Sequence, residues 1–217
     1  MQTAQGRPAA SPSMGLLNRL SRRVRYGQPI VVVSGLPRSG TSMAMKMLEA
    51  GGLPLLIDSD QPSDVSNPGG SYEFELVKQL DKNGDLTWLP SARGKGLKVS
   101  SWLVTRLPES YDYRVIFLQR DLDEVMDSQN AVLLQRGEPR GIEDPDSMRL
   151  IYSRHLDQVR SFLDERSCFT TLTVNYAEVV ERPAAEAKRL AEFLHRSLAV
   201  ELMAAVVDPG LYRNRSA

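Results

Sequence analysis

The stretch Gly35-Leu36-Pro37-Arg38-Ser39-Gly40-Thr41-Ser42 decides the fold that this sequence predicts. An apolar run at residues 30–33 precedes it, and residues 43–48, Met-Ala-Met-Lys-Met-Leu, suit a helix. A strand, a glycine-bounded turn and a helix in this order form a phosphate cradle, because the turn and the helix N-terminus aim backbone N–H groups at one anion. The sequence therefore predicts an anion-binding loop at the carboxyl end of a strand.

This loop lacks the lysine that nucleoside triphosphatases place before its final hydroxyl residue. The glycines at 35 and 40 keep the Walker A spacing, and Ser42 stands at the Ser/Thr position of that motif. Thr41 occupies the lysine position, so Arg38 is the one cation within the loop. The loop is therefore expected to bind its anion without a Walker lysine.

The composition is that of an ordinary globular chain: 217 residues, 41% hydrophobic, 25% charged and a formal net charge of zero. The length suits one core, so we expect a flexible basic segment with a possible short helix over 1–26 and a single domain over 27–217. Zero net charge gives no case for nucleic-acid binding. The single cysteine, Cys168, excludes an internal disulfide and is expected to be buried. No apolar run approaches the roughly 20 residues of a membrane span, so a cytoplasmic protein without membrane insertion is expected.

Four apolar runs predict buried strands at residues 30–33, 96–100, 114–118 and 169–174. Helical patterns separate and follow them, at residues 41–50, 74–81, 122–136, 145–165, 184–195 and 198–207. This alternation predicts an α/β fold, a P-loop three-layer α/β/α sandwich with a central, mainly parallel sheet. Two polar stretches, 58–70 and 137–144, predict an exposed excursion and a mobile flap.

A second anion site is predicted after the third strand. Arg120 ends that strand, and Ser128 lies two turns into the next helix. Asp121 is expected to cap this helix, and Glu124, three positions later, completes the capping arrangement. An arginine fork and a nearby hydroxyl can converge on one phosphate, although surface ion pairing of Arg120 is an open alternative. Two anion sites on one sheet match a nucleotide with phosphate at both ends of its ribose.

Together these segments resemble the superfamily of sulfotransferases that use 3′-phosphoadenosine-5′-phosphosulfate (PAPS), and more narrowly a group of small bacterial sulfotransferase-like proteins. In that family a loop similar to residues 37–42 holds the 5′-phosphosulfate, and an Arg/Ser pair at the spacing of Arg120 and Ser128 holds the 3′-phosphate. Residues 174–180 look like the family's Tyr-Glu-x-Leu segment, which implies that Tyr176 edges the adenine pocket; plain packing is the alternative. The resemblance spans residues 28–196 and implies these donor-binding residues: Pro37, Arg38, Ser39, Gly40, Thr41, Ser42, Arg120, Ser128 and Tyr176.

The resemblance implies transfer of a sulfuryl group from PAPS to a hydroxyl or amine of a small-molecule acceptor, with adenosine 3′,5′-bisphosphate (PAP) as product and no metal. Arg38 and Lys98 would stabilise charge on the leaving oxygen. Ser100 stands where small-molecule members carry a catalytic histidine, so a glutamate is the expected base. Glu73 is preferred over Glu75, and a helix-start carboxylate without a catalytic role is the open alternative. Asp58 and Asp60 are expected to be turn residues.

Other positions carry weaker predictions. The family's C-terminal Arg-Lys-Gly-x-x-Gly segment is missing, so Arg213 and Arg215 either close over the 3′-phosphate or belong to a plain tail. His155 and His195 stand alone on predicted helices, so no metal site is expected. Trp88 and Trp102 are expected to pack in the core or to line an acceptor pocket.

Two other functions remain open. A P-loop kinase or NTPase would share the strand, loop and helix, with Asp121 as an acid after the third strand, but would lack its lysine. A non-catalytic protein that binds PAPS or PAP would fit the missing histidine and C-terminal segment. The acceptor's identity and the oligomeric state do not follow from the sequence.

Overall fold

A four-stranded parallel sheet forms the centre of the protein. The computed structural model describes residues 27–59, 70–82, 84–139, 141–142, 144–208 and 210. The strands are β1 (Ile30–Gly35), β2 (Gly96–Lys98), β3 (Tyr113–Gln119) and β4 (Phe169–Asn175), in the order β2-β1-β3-β4. All three pairings are parallel, which confirms the predicted α/β class.

Helices cover both faces of this sheet. Their bounds are α1 (Thr41–Ala50), α2 (Ser101–Val104), α3 (Leu122–Gln135), α4 (Pro145–Glu165), α5 (Tyr176–Glu181), α6 (Pro183–Leu194) and α7 (Val200–Ala205), with 3-10 turns at Glu75–Leu80 and Leu89–Ala92. The predicted helix at 74–81 is therefore a 3-10 turn. The predicted strand at 96–100 is shorter, because the Ser100 hydroxyl accepts a hydrogen bond from the Trp102 N–H and starts α2.

The core consists of apolar side chains on both faces of the sheet, in three layers. Val31 and Val33 pack with α1, α5, α6 and α7, whereas Ile30 and Val32 pack with α2, α4 and the 3-10 turns. This explains why β1 and β3 contain continuous apolar runs: successive side chains point to opposite faces, and both faces are covered. A smaller cluster joins Leu36 to α3 and α4.

Helix α5 is an element that the sequence interpretation missed. Asn175 ends β4, and its side-chain oxygen accepts a hydrogen bond from the Ala177 N–H at 2.9 Å, which starts the helix. Glu178 follows Asn175 at the spacing of a capping signature, so a signal was present. By contrast, the bounds of α4 match the predicted helix, since Asp144 caps it and Pro145 stands at its first position.

Several of the predicted features fall wholly or partly outside the described residues. These are the N-terminal helix within 1–26, residues 60–69 of the excursion together with Asp60, residues 140 and 143 of the flap, and Arg213 with Arg215. Within the flap, Ile142 is buried against α3 and α4. Cys168 is buried, as predicted, just before β4. Among the described helices, none combines the length and the apolar character that crossing a membrane requires.

Candidate functional site

A cavity of about 580 Å³ opens at the carboxyl edge of the sheet. The chain leaves β1 toward β2 on one side, whereas β3 lies on the other side, so the segments after β1 and β3 diverge at this point. Such a divergence leaves a crevice in open α/β sheets. Every residue of the predicted site except Ser39 lines this one cavity: Pro37, Arg38, Gly40, Thr41, Ser42, Glu73, Lys98, Arg120, Ser128 and Tyr176.

The loop after β1 presents an uncapped helix N-terminus to the cavity. Gly40 is the N-cap of α1 and has no side chain with which to cap it, and the first turn of α1 carries no acidic residue. Gly40 has φ +100°, and a Cβ there would overlap the ring of Tyr176. The first N–H groups of an α-helix have no intrahelical acceptors, so those of α1 can serve an external anion.

Ser39 lies behind the loop, away from the cavity. Its side chain is buried, and its hydroxyl has no hydrogen-bond partner among the described residues. Its backbone N–H donates to the Leu36 carbonyl at 3.1 Å, which tightens the turn. Ser39 is therefore placed to shape the loop.

Arg38 connects the loop with helix α3. Its Nε donates to the Ser128 hydroxyl at 3.0 Å. Arg38 also has φ +71°, a left-handed backbone conformation that is rare outside glycine and that costs about 1–3 kcal/mol. The two predicted anion sites are thus parts of one cavity.

Arg120 is held on several sides. The register of β3 and β4 pairs Gln119 with Asn175, which places Arg120 beside Tyr176 with its guanidinium 4.4 Å from the ring centre. Its Nε donates to a Glu124 carboxylate oxygen at 2.8 Å, and both side chains are more than nine-tenths buried. Its Nη1 also donates to the Arg38 carbonyl at 3.2 Å. Arg120 is therefore a positioned group whose charge Glu124 already balances.

Lys98 lies at the inner end of the cavity beside the loop. It pairs with Val33 in the sheet register, and its ammonium donates to the Ser71 carbonyl at 2.7 Å and the Ser42 hydroxyl at 3.3 Å. The Glu73 carboxylate lies 3.7 Å away. Burial holds the pKa of Lys98 below its ordinary value and the Arg38 charge lowers it further, whereas Glu73 opposes both.

The candidate bases occupy different surroundings. Glu73 precedes the 3-10 turn, lines the cavity and is half exposed near Lys98. Glu75 begins that turn, does not line the cavity and pairs with Lys78 at 2.6 Å. Asp58 accepts a hydrogen bond from the Glu75 N–H at 2.8 Å, which ties the chain before the excursion to the 3-10 turn after it. Of these three carboxylates, Glu73 is the one placed to accept a proton inside the cavity.

Neither tryptophan lines the cavity among its described residues. Trp88 is buried with its ring edge-on to Phe74. Trp102 is nearly half exposed and stacks on His155 with ring centres 3.5 Å apart. His155 also hydrogen-bonds the Ser101 hydroxyl at 3.0 Å, and burial lowers its pKa. These contacts favour the packing interpretation of both tryptophans.

Sequence reasoning missed a number of cavity residues. An apolar wall comes from the start of the 3-10 turn, the segment after β2, α2 and α3, and its members are Phe74, Val77, Val99, Leu103, Ala131 and Val132. Three further cations, Lys46, Lys78 and Arg136, also line the cavity. Lys46 was discoverable, because it follows Ser42 by one helical turn on α1. The wall was not, because its residues come from four separate elements.

Comparison with known proteins adds little to this site. No family model and no curated protein matches the chain. Among solved structures, one match is a sulfotransferase domain from the curacin biosynthetic pathway, at 15% identity over 87% of this chain and 92% of that chain, with a TM-score of 0.47. A similarity at this level assigns no function, so a functional assignment depends on the residues of the site.

Proposed function

We propose that this protein is a sulfotransferase that takes a sulfuryl group from PAPS and passes it to a hydroxyl or amine of a small-molecule acceptor. The observation that carries the proposal is one cavity in which the uncapped N-terminus of α1 adjoins Arg38 and Lys98. The same cavity extends to Arg120, Ser128 and Tyr176. The resemblance in sequence supports PAPS as the donor.

The loop end of the cavity fits an oxyanion. Gly40 brings the backbone close without a side chain, and a Cβ there has no room beside Tyr176. Lys98 and Arg38 place two positive groups near the same helix N-terminus, and no carboxylate stands in the first turn of α1. These residues would hold the 5′-phosphosulfate of the donor.

The α3 end of the cavity fits the remainder of the donor. Ser128 presents a hydroxyl that already accepts a hydrogen bond from Arg38, so its own proton remains available for a phosphate oxygen. Arg120 lines the same part of the cavity, and its forked guanidinium N–H donors match the geometry of a phosphate. The Tyr176 ring lies between Arg120 and Gly40, where it can border a base. These residues would hold the 3′-phosphate and adenosine.

The chain's own groups divide the chemistry between cations and a carboxylate. When bound, the donor supplies the sulfuryl group and a phosphate leaving group. Arg38 and Lys98 stabilise negative charge at that leaving group, and they do so without moving because the fold already holds them in place. Glu73 takes the proton from the acceptor's hydroxyl or amine, and its 3.7 Å separation from Lys98 keeps the carboxylate near the reacting groups.

Binding tests the proposal most directly. Calorimetry and thermal unfolding should show that PAP binds the full chain without magnesium. At one hundred times its Kd, PAP should add about 2.7 kcal/mol of stability, which raises Tm by about 5–10 °C. AMP, which lacks the 3′-phosphate, should bind more weakly. If Mg-ATP binds tightly while PAP releases no heat, the protein is a P-loop kinase or NTPase and the proposal fails.

Turnover separates an enzyme from a protein that only binds the nucleotide. Single-turnover assays with sulfur-labelled PAPS and pools of small hydroxylated compounds or amines should transfer label to an acceptor. Glu73→Gln should reduce that rate by about 10²–10⁴-fold while PAP affinity stays close to the wild type. Glu75→Gln is the matched control and should leave both unchanged, since Glu75 lies outside the cavity. PAP binding without transfer to any pool would favour the non-catalytic alternative.

A further inference from the structure

The segment before Glu73 adopts an unusual backbone that its surroundings hold in place. Tyr72 has φ +56°, which a bulky residue rarely adopts, and Gly70 nearby has φ +90°. Tyr72 is nevertheless only 6% exposed, and it lines the cavity. Such conformations persist only where neighbouring contacts over-determine them, and they cluster at functional sites.

Contacts fix this segment from two elements. The Tyr72 hydroxyl donates to a Glu49 carboxylate oxygen at 2.8 Å, and the Ser71 carbonyl accepts from the Lys98 ammonium at 2.7 Å. Immediately after them, the Glu73 carbonyl accepts from the Asp58 N–H at 3.0 Å. Consecutive residues are thus tied to α1, to β2 and to the chain entering the excursion.

Helix α1 joins these contacts to the anion-binding loop. Ser42 lies in the first turn of the helix and accepts a hydrogen bond from Lys98, and Glu49 lies about two turns further along, on the same face. Burial and the Glu49 carboxylate both raise the pKa of Tyr72, so the phenol remains a donor to Glu49 over the working pH range. The same rigid helix therefore carries the loop at its N-terminus and the Tyr72 anchor near its C-terminus.

We infer that Tyr72 and Glu49 form a clasp that positions the Glu73 carboxylate against Lys98. This inference rests on the proposed function for its catalytic consequence, whereas the clasp itself is a property of the folded chain. Tyr72 and Glu49 are positioning residues: neither is assigned a proton or a bond to substrate. The clasp matters because small misplacements of a reacting group lower rates steeply without loss of binding.

Three variants test the clasp. Tyr72→Phe removes the hydroxyl and keeps the buried ring, Glu49→Met removes the acceptor, and Glu49→Gln keeps an amide oxygen that can accept the same hydrogen bond. Tyr152→Phe is the matched control, because the buried Tyr152 donates to Gln129 at 2.8 Å away from the cavity lining. Each variant is assayed for kcat, for PAP affinity and for the rate of Lys98 acylation by mass spectrometry.

The clasp predicts a specific pattern. Tyr72→Phe and Glu49→Met should lower kcat by about tenfold or more and leave PAP affinity within about twofold. They should also speed Lys98 acylation by about fivefold, the equivalent of one lost hydrogen bond. In Glu49→Gln, both kcat and the rate of Lys98 acylation should lie close to their wild-type values. Tyr152→Phe should change neither, although it loses a similar hydrogen bond.

Other outcomes overturn the inference in distinguishable ways. If kcat and PAP affinity fall together in Tyr72→Phe, or if Glu49→Gln behaves like Glu49→Met, the contact supports the fold in general and the clasp is rejected. If Lys98 acylation is unchanged in Tyr72→Phe, the segment does not depend on Tyr72 and the clasp is again rejected. The acylation assay needs no donor or acceptor, so it tests the clasp even where PAP fails to bind and the proposed function is wrong.

Discussion

Two helix N-termini meet at the same edge of the sheet, and they are built in opposite ways. Helix α1 begins at Gly40, with no side-chain cap and no acidic residue in its first turn. Helix α3 begins at Asp121, whose carboxylate accepts from the N–H groups of Asp123 and Glu124, both of them acidic first-turn residues. The N–H groups and the positive dipole end of α1 are therefore available to an external anion. In α3, the Asp121 carboxylate accepts hydrogen bonds from two of the corresponding N–H groups.

This difference predicts which of the two predicted anion sites contributes more to ligand affinity. The site at α1 uses backbone groups together with Arg38 and Lys98. The site at α3 relies on side chains alone, and its arginine is already paired with Glu124. A phosphate arriving at Arg120 must share it with that carboxylate. We therefore expect the α1 end to supply most of the affinity and the α3 end to supply discrimination between nucleotides.

The largest effect is expected from Gly40→Ala, which should destroy the α1 site. A methyl group there meets the Tyr176 ring and is strained at φ +100°, so unfolding free energy should fall by about 3 kcal/mol. PAP affinity should fall by more than about a hundredfold, because the loop must move away from its anion-binding conformation. Calorimetry and denaturant unfolding measure both.

Gly52→Ala is the control for this experiment. Gly52 follows the other end of α1 with φ +88°, and a Cβ there meets nothing within 4 Å. Gly52→Ala should lower the free energy of unfolding by about 1 kcal/mol through backbone strain and leave PAP affinity unchanged. Equal loss of PAP affinity in the two variants would mean that Gly40 has no special place in the anion site.

A second test releases Arg120 from its partner with Glu124→Gln. Breaking a buried ion pair leaves an uncompensated charge, so the ligand-free protein should lose about 3 kcal/mol of stability. The ratio of PAP affinity to AMP affinity should rise by about tenfold, because the 3′-phosphate no longer competes with a carboxylate. An unchanged ratio would place the 3′-phosphate away from Arg120.

Removing the cap of α3 should have a smaller effect, confined to stability. Asp121→Ala takes away an acceptor for two backbone N–H groups, which should cost about 1 kcal/mol in denaturant unfolding. PAP affinity should stay the same, since this N-terminus is not proposed to bind the ligand. Stronger PAP binding in Asp121→Ala would show that Asp121 had been blocking a second helix-end anion site.

The smallest effect is a pH dependence from Lys98. Its folded pKa lies below the ordinary 10.5, so the unfolded chain binds more protons in the window between the two values. As pH increases through that window, the contribution of Lys98 to the free energy of unfolding therefore rises. Below the window Lys98 is a buried ammonium in the folded chain, and the whole cost of that burial is present. Denaturant unfolding should show the wild type gaining on Lys98→Met as pH approaches 10.5. A constant difference between them would contradict the lowered pKa.

The strand pattern and the loop were predictable because their signals are local. Runs of apolar and β-branched residues mark β1, β3 and β4, and the glycine at 40 marks the turn into α1. The cap at Asp121 followed from residue type and spacing. Short elements were harder: α2 and α5 are a few residues long, too short for a helical period to emerge against the strand before each.

The partners within the site were beyond local signals. Arg38 to Ser128 and Tyr72 to Glu49 join residues that are distant in sequence, and sheet order decides which segments meet. The sequence left ion pairing open for Arg120 but did not name Glu124 as its partner, because Arg120 precedes the cap of α3 and lies on no helical face. The sequence interpretation gave Glu124 a capping role, and the structure adds a hydrogen bond that its carboxylate accepts from Arg120.

The buried position of Cys168 has a practical consequence for measuring ligand binding in the cavity. It is the chain's sole thiol and is only 3% exposed, so maleimide dyes should reach it slowly. A cysteine introduced at the exposed Leu134, on the last turn of α3, would react first and carry a fluorophore. Emission from that dye would then follow ligand arrival in real time, in a chain whose natural sulfur needs no replacement.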